Sequence, residues 1–100
     1  MARILLDLND PVFQKCWFAL EREEALAVLA ALRKLLQLDW EQLYRDRGLR
    51  WEAIQSRAGP HGQRIYSLRV TRRVRAIAWR DGDFLRFLSL HPDHDSAYNG

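Results

Sequence analysis

Apolar positions fall along this chain in runs whose spacing changes from helical to alternating near its middle. Residues 2–8 form a short apolar run, which predicts a strand. Asn9-Asp10-Pro11 follows, with Asp10 placed to cap a helix and Pro11 at its first position. Val12, Phe13, Trp17, Phe18 and Leu20 then recur at helical spacing, and a second stripe runs through Leu26, Leu29, Leu32, Leu35 and Leu36. The charged stretch Glu21-Arg22-Glu23-Glu24 is the expected turn of a helical hairpin, although no Gly or Pro separates the two stripes and one long helix is the alternative. A third helix is predicted from Asp39, with Gln42 as its capping-box partner and Gly48 as a left-handed C-cap. Leu49 to Ile54 returns to alternation, as a short strand or a packed extended segment, and residues 58–63 read as a loop.

Beyond Arg64 the period is two. Asp81-Gly82 between apolar runs predicts a two-residue hairpin turn with positive φ at both central residues. That turn would set Trp79 opposite Phe84, Ala78 opposite Leu85 and Arg75 opposite Leu88. The preceding strand, Arg64 to Val70, joins through Thr71-Arg72-Arg73. A three-residue loop keeps Tyr66, Leu68 and Val70 on the same face as Ala78, Ala76 and Val74, whereas a two-residue loop would put Arg69 among them. The hydrophobic pattern therefore selects three residues and sets Arg69 opposite Arg75. The expected fold class is α+β, a small antiparallel sheet with N-terminal helices on one face and arginines on the other, in a single domain over residues 1–100.

Composition sharpens this picture through charge. With 48% hydrophobic residues and 11% aromatic, the chain can bury a core and is not of the disordered class. Its apolar runs are too short for a membrane span or a signal-peptide core, so a mature soluble protein is expected, and a lone cysteine suits a reducing compartment, most simply the cytoplasm. A single Cys16 excludes an internal disulfide. The net charge of +3 is modest, but Ala53 to Arg80 holds seven arginines and no acid. Fourteen of the sixteen basic residues are Arg, whose planar fork suits phosphate, so a polyanionic partner is expected.

The residues that follow one another here resemble a known family. A first strand, a helical pair, Leu38-Asp39-Trp40-Glu41-Gln42-Leu43-Tyr44, then Leu68-Arg69-Val70, Val74-Arg75-Ala76-Ile77, the Asp81-Gly82 hairpin and a His-to-Tyr98 ending look like the RelE/ParE toxin superfamily, the RelE-like branch in particular. The resemblance implies the toxin of a type II toxin–antitoxin system, a ribosome-dependent mRNA endoribonuclease that inhibits translation without metal or cofactor. Its partners would be a cognate antitoxin, the ribosome and mRNA. The family's strand arginine maps onto Arg75, the arginine of the preceding strand onto Arg69 and the C-terminal tyrosine onto Tyr98. The lysines that some members carry before the central strand are replaced here by Ile65-Tyr66-Ser67, and the tail is His91-Pro92-Asp93-His94-Asp95.

Cleavage of RNA by transesterification needs a base for the 2′-hydroxyl proton, an acid for the leaving oxygen and a cation for the phosphate. Arg75 is the candidate cation. His91 and His94 titrate closest to neutrality and are the candidate acid and base, with Tyr98 beside them. Arg69, Arg72, Arg73 and Arg86 are the candidate RNA-binding residues. His91, Asp93, His94 and Asp95 have metal-ligand character, but adjacency alone does not converge on an ion, and no metal site is expected. Two other functions fit the same sequence: a ParE-like DNA gyrase inhibitor without nuclease activity, or an inactive family member serving as a binding module.

Overall fold

The computed structural model describes residues 2–92. Its elements run β1 (Leu5–Asp7), α1 (Pro11–Phe18), α2 (Arg22–Leu35), α3 (Trp40–Arg45), β2 (Glu52–Ala53), β3 (Tyr66–Arg69), β4 (Arg75–Asp81) and β5 (Phe84–His91). The sheet has the order β1-β5-β4-β3-β2. Strands β2 to β5 pair antiparallel, whereas β1 lies parallel to β5, with Leu5 opposite Phe84 and Asp7 opposite Arg86. The sheet is therefore mixed. The three helices all precede the antiparallel strands and carry the chain to β2 at the edge opposite β1, from which the meander β2-β3-β4-β5 returns to pair with β1.

Local signals place the helices. Asp10 Oδ1 accepts the N–H groups of Val12 (2.8 Å) and Phe13 (3.3 Å), and Pro11 opens α1. The helical hairpin turns at residues 19–21, ahead of the charged stretch, most of which becomes the first turn of α2. The indole N–H of Trp17 donates to the Ala25 carbonyl across that turn at 3.0 Å. In α3 the capping box is complete: Asp39 Oδ1 accepts from Gln42 N (2.8 Å) and Gln42 Oε1 from Asp39 N (2.9 Å). The left-handed residue after α3 is Arg50 (φ 50°), not Gly48. Asp46 ends the helix instead, accepting the Leu49 N–H on its carboxylate and the Arg50 N–H on its carbonyl.

The main core lies between the helices and one face of the sheet. Phe13, Val28, Leu32, Leu35 and Leu43 pack there on Leu68, Ala76, Ala78, Leu85 and Phe87. Trp40, Tyr44, Trp51 and Tyr66 form an aromatic chain that fastens α3 to the sheet, with Trp51 stacked on Tyr66 at 4.4 Å. A second, smaller core occupies the opposite face. Ile54 and Ile65 bracket residues 55–64, and both pack on Ile77 with Trp79 and Leu88. The Gly/Pro loop thus covers part of the face expected to be open.

The three-residue connection holds as read: Tyr66 pairs with Ala78, Leu68 with Ala76 and Arg69 with Arg75. The hairpin does not. Asp81 pairs with Phe84 and Trp79 with Arg86, so the turn is Gly82-Asp83. Only Gly82 of this pair has positive φ (62°), the pattern in which glycine stands first in a two-residue turn. This slip of two preserves every face. An irregularity at Ile77/Ala78 then shifts the register by one, so that Ile77 meets Ser89, Ala76 meets Leu90 and Arg75 meets His91 rather than Leu88. The extra residue lets both Phe87 and Leu90, three apart, enter the helix-side core.

Candidate arginine cleft beside a strand histidine

Arg69, Arg75 and His91 come from three adjacent strands and share one row across the sheet. Neighbouring strands are about 4.8 Å apart, so the row is a strip of three nitrogen-bearing side chains on the face away from the helices. Arg75 is buried to 7% exposure, and its Nη1 has no hydrogen-bond partner among the described residues. A buried guanidinium N–H without a partner, opposite a second arginine, is costly, and among the described residues neither that N–H nor the charge is compensated. Arg50, Arg69, Arg72, Arg73 and Arg75 together line a cleft of about 310 Å³.

The β3–β4 loop fixes the rim. Thr71 Oγ1 accepts the N–H groups of Arg73 (3.2 Å) and Val74 (2.9 Å), and Val70 N donates to the Val74 carbonyl at 3.0 Å. Arg69 Nη2 donates to the Arg72 carbonyl at 3.1 Å, which leans its guanidinium over the loop. The exposed side chains of Arg72 and Arg73 are thereby carried on a braced backbone. Arg50 enters because its left-handed backbone turns the chain toward β3, where the Leu49 carbonyl accepts the Arg69 N–H at 2.6 Å. Its guanidinium lies 3.6 Å from Glu52.

His91 sits at the cleft's edge, opposite Arg75. Ser89 Oγ lies 2.9 Å from its Nε2 and orients the ring. Burial pushes its pKa below the ordinary histidine value, and the positive charge of Arg57 adds to that shift. The ring is consequently neutral at neutral pH, the form that can accept a proton.

Arg86 stands apart from this group. Five residues along β5 from His91, it is roughly 15 Å away. Its Nη1 meets Asp7 at 2.6 Å and its Nε meets Asp81 at 2.9 Å. Two carboxylates occupy that guanidinium, so it ties β1 to the hairpin. His94 and Tyr98 lie outside the described residues. Among those residues no group of three or more His, Cys, Asp or Glu is placed to hold a metal ion.

Sequence reading overlooked Arg50 and Arg57. Arg50 lies in a segment of undecided conformation, and only the left-handed turn brings it to the cleft. Arg57 was visible in the acid-free stretch, but nothing local shows that its loop folds back over β4 and β5.

No protein-family model matches the chain, and no curated protein matches it. Among solved structures, it is similar to the crystal structure of a copper-bound point mutant of a toxin from Helicobacter pylori, at 19% identity and a TM-score of 0.51 over 96% of this chain and 98% of the other. At that identity the likeness is one of fold: this chain is a mixed-sheet α+β domain folded along nearly its whole length like that toxin.

Proposed function

We propose that this protein is a RelE-like toxin of a type II toxin–antitoxin pair, a metal-independent endoribonuclease that cuts mRNA on the ribosome. The observation that carries the reading is the buried Arg75, whose Nη1 is unpartnered among the described residues, set between Arg69 and His91 in a cleft of five arginines. Such a group has no counter-charge among the described residues, and an anion would supply one. A phosphodiester supplies one, and its developing negative charge in the transition state is what a fixed cation stabilises. The shared fold with a toxin supports the same class.

The chemistry is a transesterification. The 2′-hydroxyl oxygen attacks the adjacent phosphorus, the bond to the 5′-oxygen breaks, and a 2′,3′-cyclic phosphate and a free 5′-hydroxyl result. His91, neutral and oriented by Ser89, takes the 2′-hydroxyl proton. His94 or Tyr98 returns a proton to the 5′-oxygen. Arg75 and Arg69 hold the phosphate, while Arg72 and Arg73 follow the backbone on either side. The partners are therefore mRNA and the ribosome in the cytoplasm, with a cognate antitoxin that holds the toxin silent between uses. No helix among the described residues is long and apolar enough to cross a membrane.

Induced expression of the wild type and of Arg75→Ala, with primer extension on cellular mRNA, tests this reading. The wild type should arrest growth with codon-positioned cuts. Arg75→Ala should lose about a hundredfold or more in cleavage rate, as loss of one preorganised charge does. Growth arrest without cuts, accompanied by inhibited supercoiling, would point instead to a gyrase inhibitor.

A further inference from the structure

A second cavity opens beside the arginine row, and its lining is of a different character. It measures about 220 Å³ and lies between the loop at residues 57–60 and the start of α1. Ile65, Ile77, Leu88 and Pro60 supply apolar walls, and Ser89 borders it. Two charged residues, Arg57 and Asp10, also line it.

Neither charge is used up. Arg57 Nε is buried without a hydrogen-bond partner among the described residues. Asp10 spends Oδ1 on capping α1, and no bond to Oδ2 occurs among those residues. Although both line the same cavity, no salt bridge joins them. The site thus combines a guanidinium and a carboxylate with apolar walls. A flat heterocycle with an acceptor and an N–H on its rim satisfies both, whereas a sugar or a phosphate cannot use the walls and a carboxylate would meet Asp10. The cavity is smaller than the usual drug-sized pocket, as suits a single ring system.

Its position links it to the cleft. Ser89 both borders the cavity and bonds His91, and Arg57 is near enough to lower the His91 pKa. We infer that the cavity between Arg57 and Asp10 receives a nucleobase, splayed out of the strand whose phosphate lies on the arginine row. All four bases present an acceptor beside a donor, so the pocket selects a base over bare sugar-phosphate and holds the scissile linkage in register with His91. This inference rests on the reading of the cleft as an RNA site, but it can fail alone.

The test is nuclear magnetic resonance titration of the free protein with uridine 3′-monophosphate, ribose 5-phosphate and inorganic phosphate. The nucleotide should bind about tenfold more tightly than ribose 5-phosphate, the usual worth of one held base. It should also move the methyl signals of Ile65, Ile77 and Leu88, which neither phosphate should move. Arg57→Met should erase that tenfold advantage while leaving phosphate affinity within twofold. Asp10→Asn keeps the helix cap and should reduce the same advantage. If all three ligands bind alike and shift only the arginine row, the base pocket is refuted and the polyanion cleft stands. If none binds, both readings fall.

Discussion

Replacing Arg75 with Met separates the cost of this residue to the fold from its use to the site. Met keeps the unbranched stem and removes the guanidinium. In the wild type Nη1 is buried without a hydrogen bond among the described residues, and Arg69 stands directly opposite. An unsatisfied buried polar group costs about 1–3 kcal/mol, and opposed like charges add a few tenths. Some of this is returned through guanidinium contacts that Met cannot make, so a net gain of about 1 kcal/mol is expected. In a domain of this size that raises the melting temperature by about 4–8 °C. Urea and thermal unfolding in a buffer free of multivalent anions measure it. Phosphate at ten times its Kd should then stabilise the wild type by about 1.4 kcal/mol and the variant by much less, since only the former holds the site. RNA cleavage should be lost in the stabilised variant. A variant less stable than the wild type by 1 kcal/mol or more would refute the reasoning, because Arg75 would then be a working member of the fold.

The remaining expectations test other parts of the arrangement. Because burial and Arg57 depress the His91 pKa, the unfolded chain binds a proton there more readily than the native one. Its stabilising share is complete above the ordinary value of 6.5 and is lost as pH falls from there toward the folded pKa; unfolding of the wild type and His91→Gln at pH 7.5, 6.5 and 5.5 should show a shallower decline in the variant. RNA affinity should fall steeply with salt, and each of Arg69→Gln and Arg73→Gln should reduce the logarithmic slope by about one, as filter binding across salt concentrations would show. Arg86→Met should leave that slope unchanged while lowering stability, since Arg86 serves Asp7 and Asp81; an altered slope would return it to the binding surface. Asp39→Ala should cost about 1 kcal/mol through loss of the α3 cap, read from the urea midpoint.

Much of the sheet was legible because its information is local. The alternation of Tyr66, Leu68 and Val70 against Val74, Ala76 and Ala78 admits one loop length, and it alone sets Arg69 opposite Arg75. The caps at Asp10 and Asp39 are likewise short-range chemistry, satisfied within three residues. The hairpin shows where such reasoning ends. Asp81-Gly82 and Gly82-Asp83 are both acceptable turns and preserve the same faces, so the hydrophobic pattern cannot choose between them. The irregularity near Ile77 is decided by the core, which needs both Phe87 and Leu90 beneath the helices.

His91 owes its place opposite Arg75 to that one-residue shift, and no property of the tail sequence reveals it. The same limit explains β1, Arg50 and Arg57. The parallel pairing of β1 joins residues about eighty positions apart, Arg50 reaches the cleft through one left-handed residue, and Arg57 comes near His91 through a loop that closes over Ile77. The sequence by itself determined the helix caps, the two faces of the sheet and the concentration of arginine on one of them, because periodicity and capping act over a few residues. Only the tertiary structure decided which of those arginines are neutralised and which are left facing a cleft. Arg86 finds two carboxylates and Arg75 finds none among the described residues, because charge compensation depends on which distant strands and loops the core brings together.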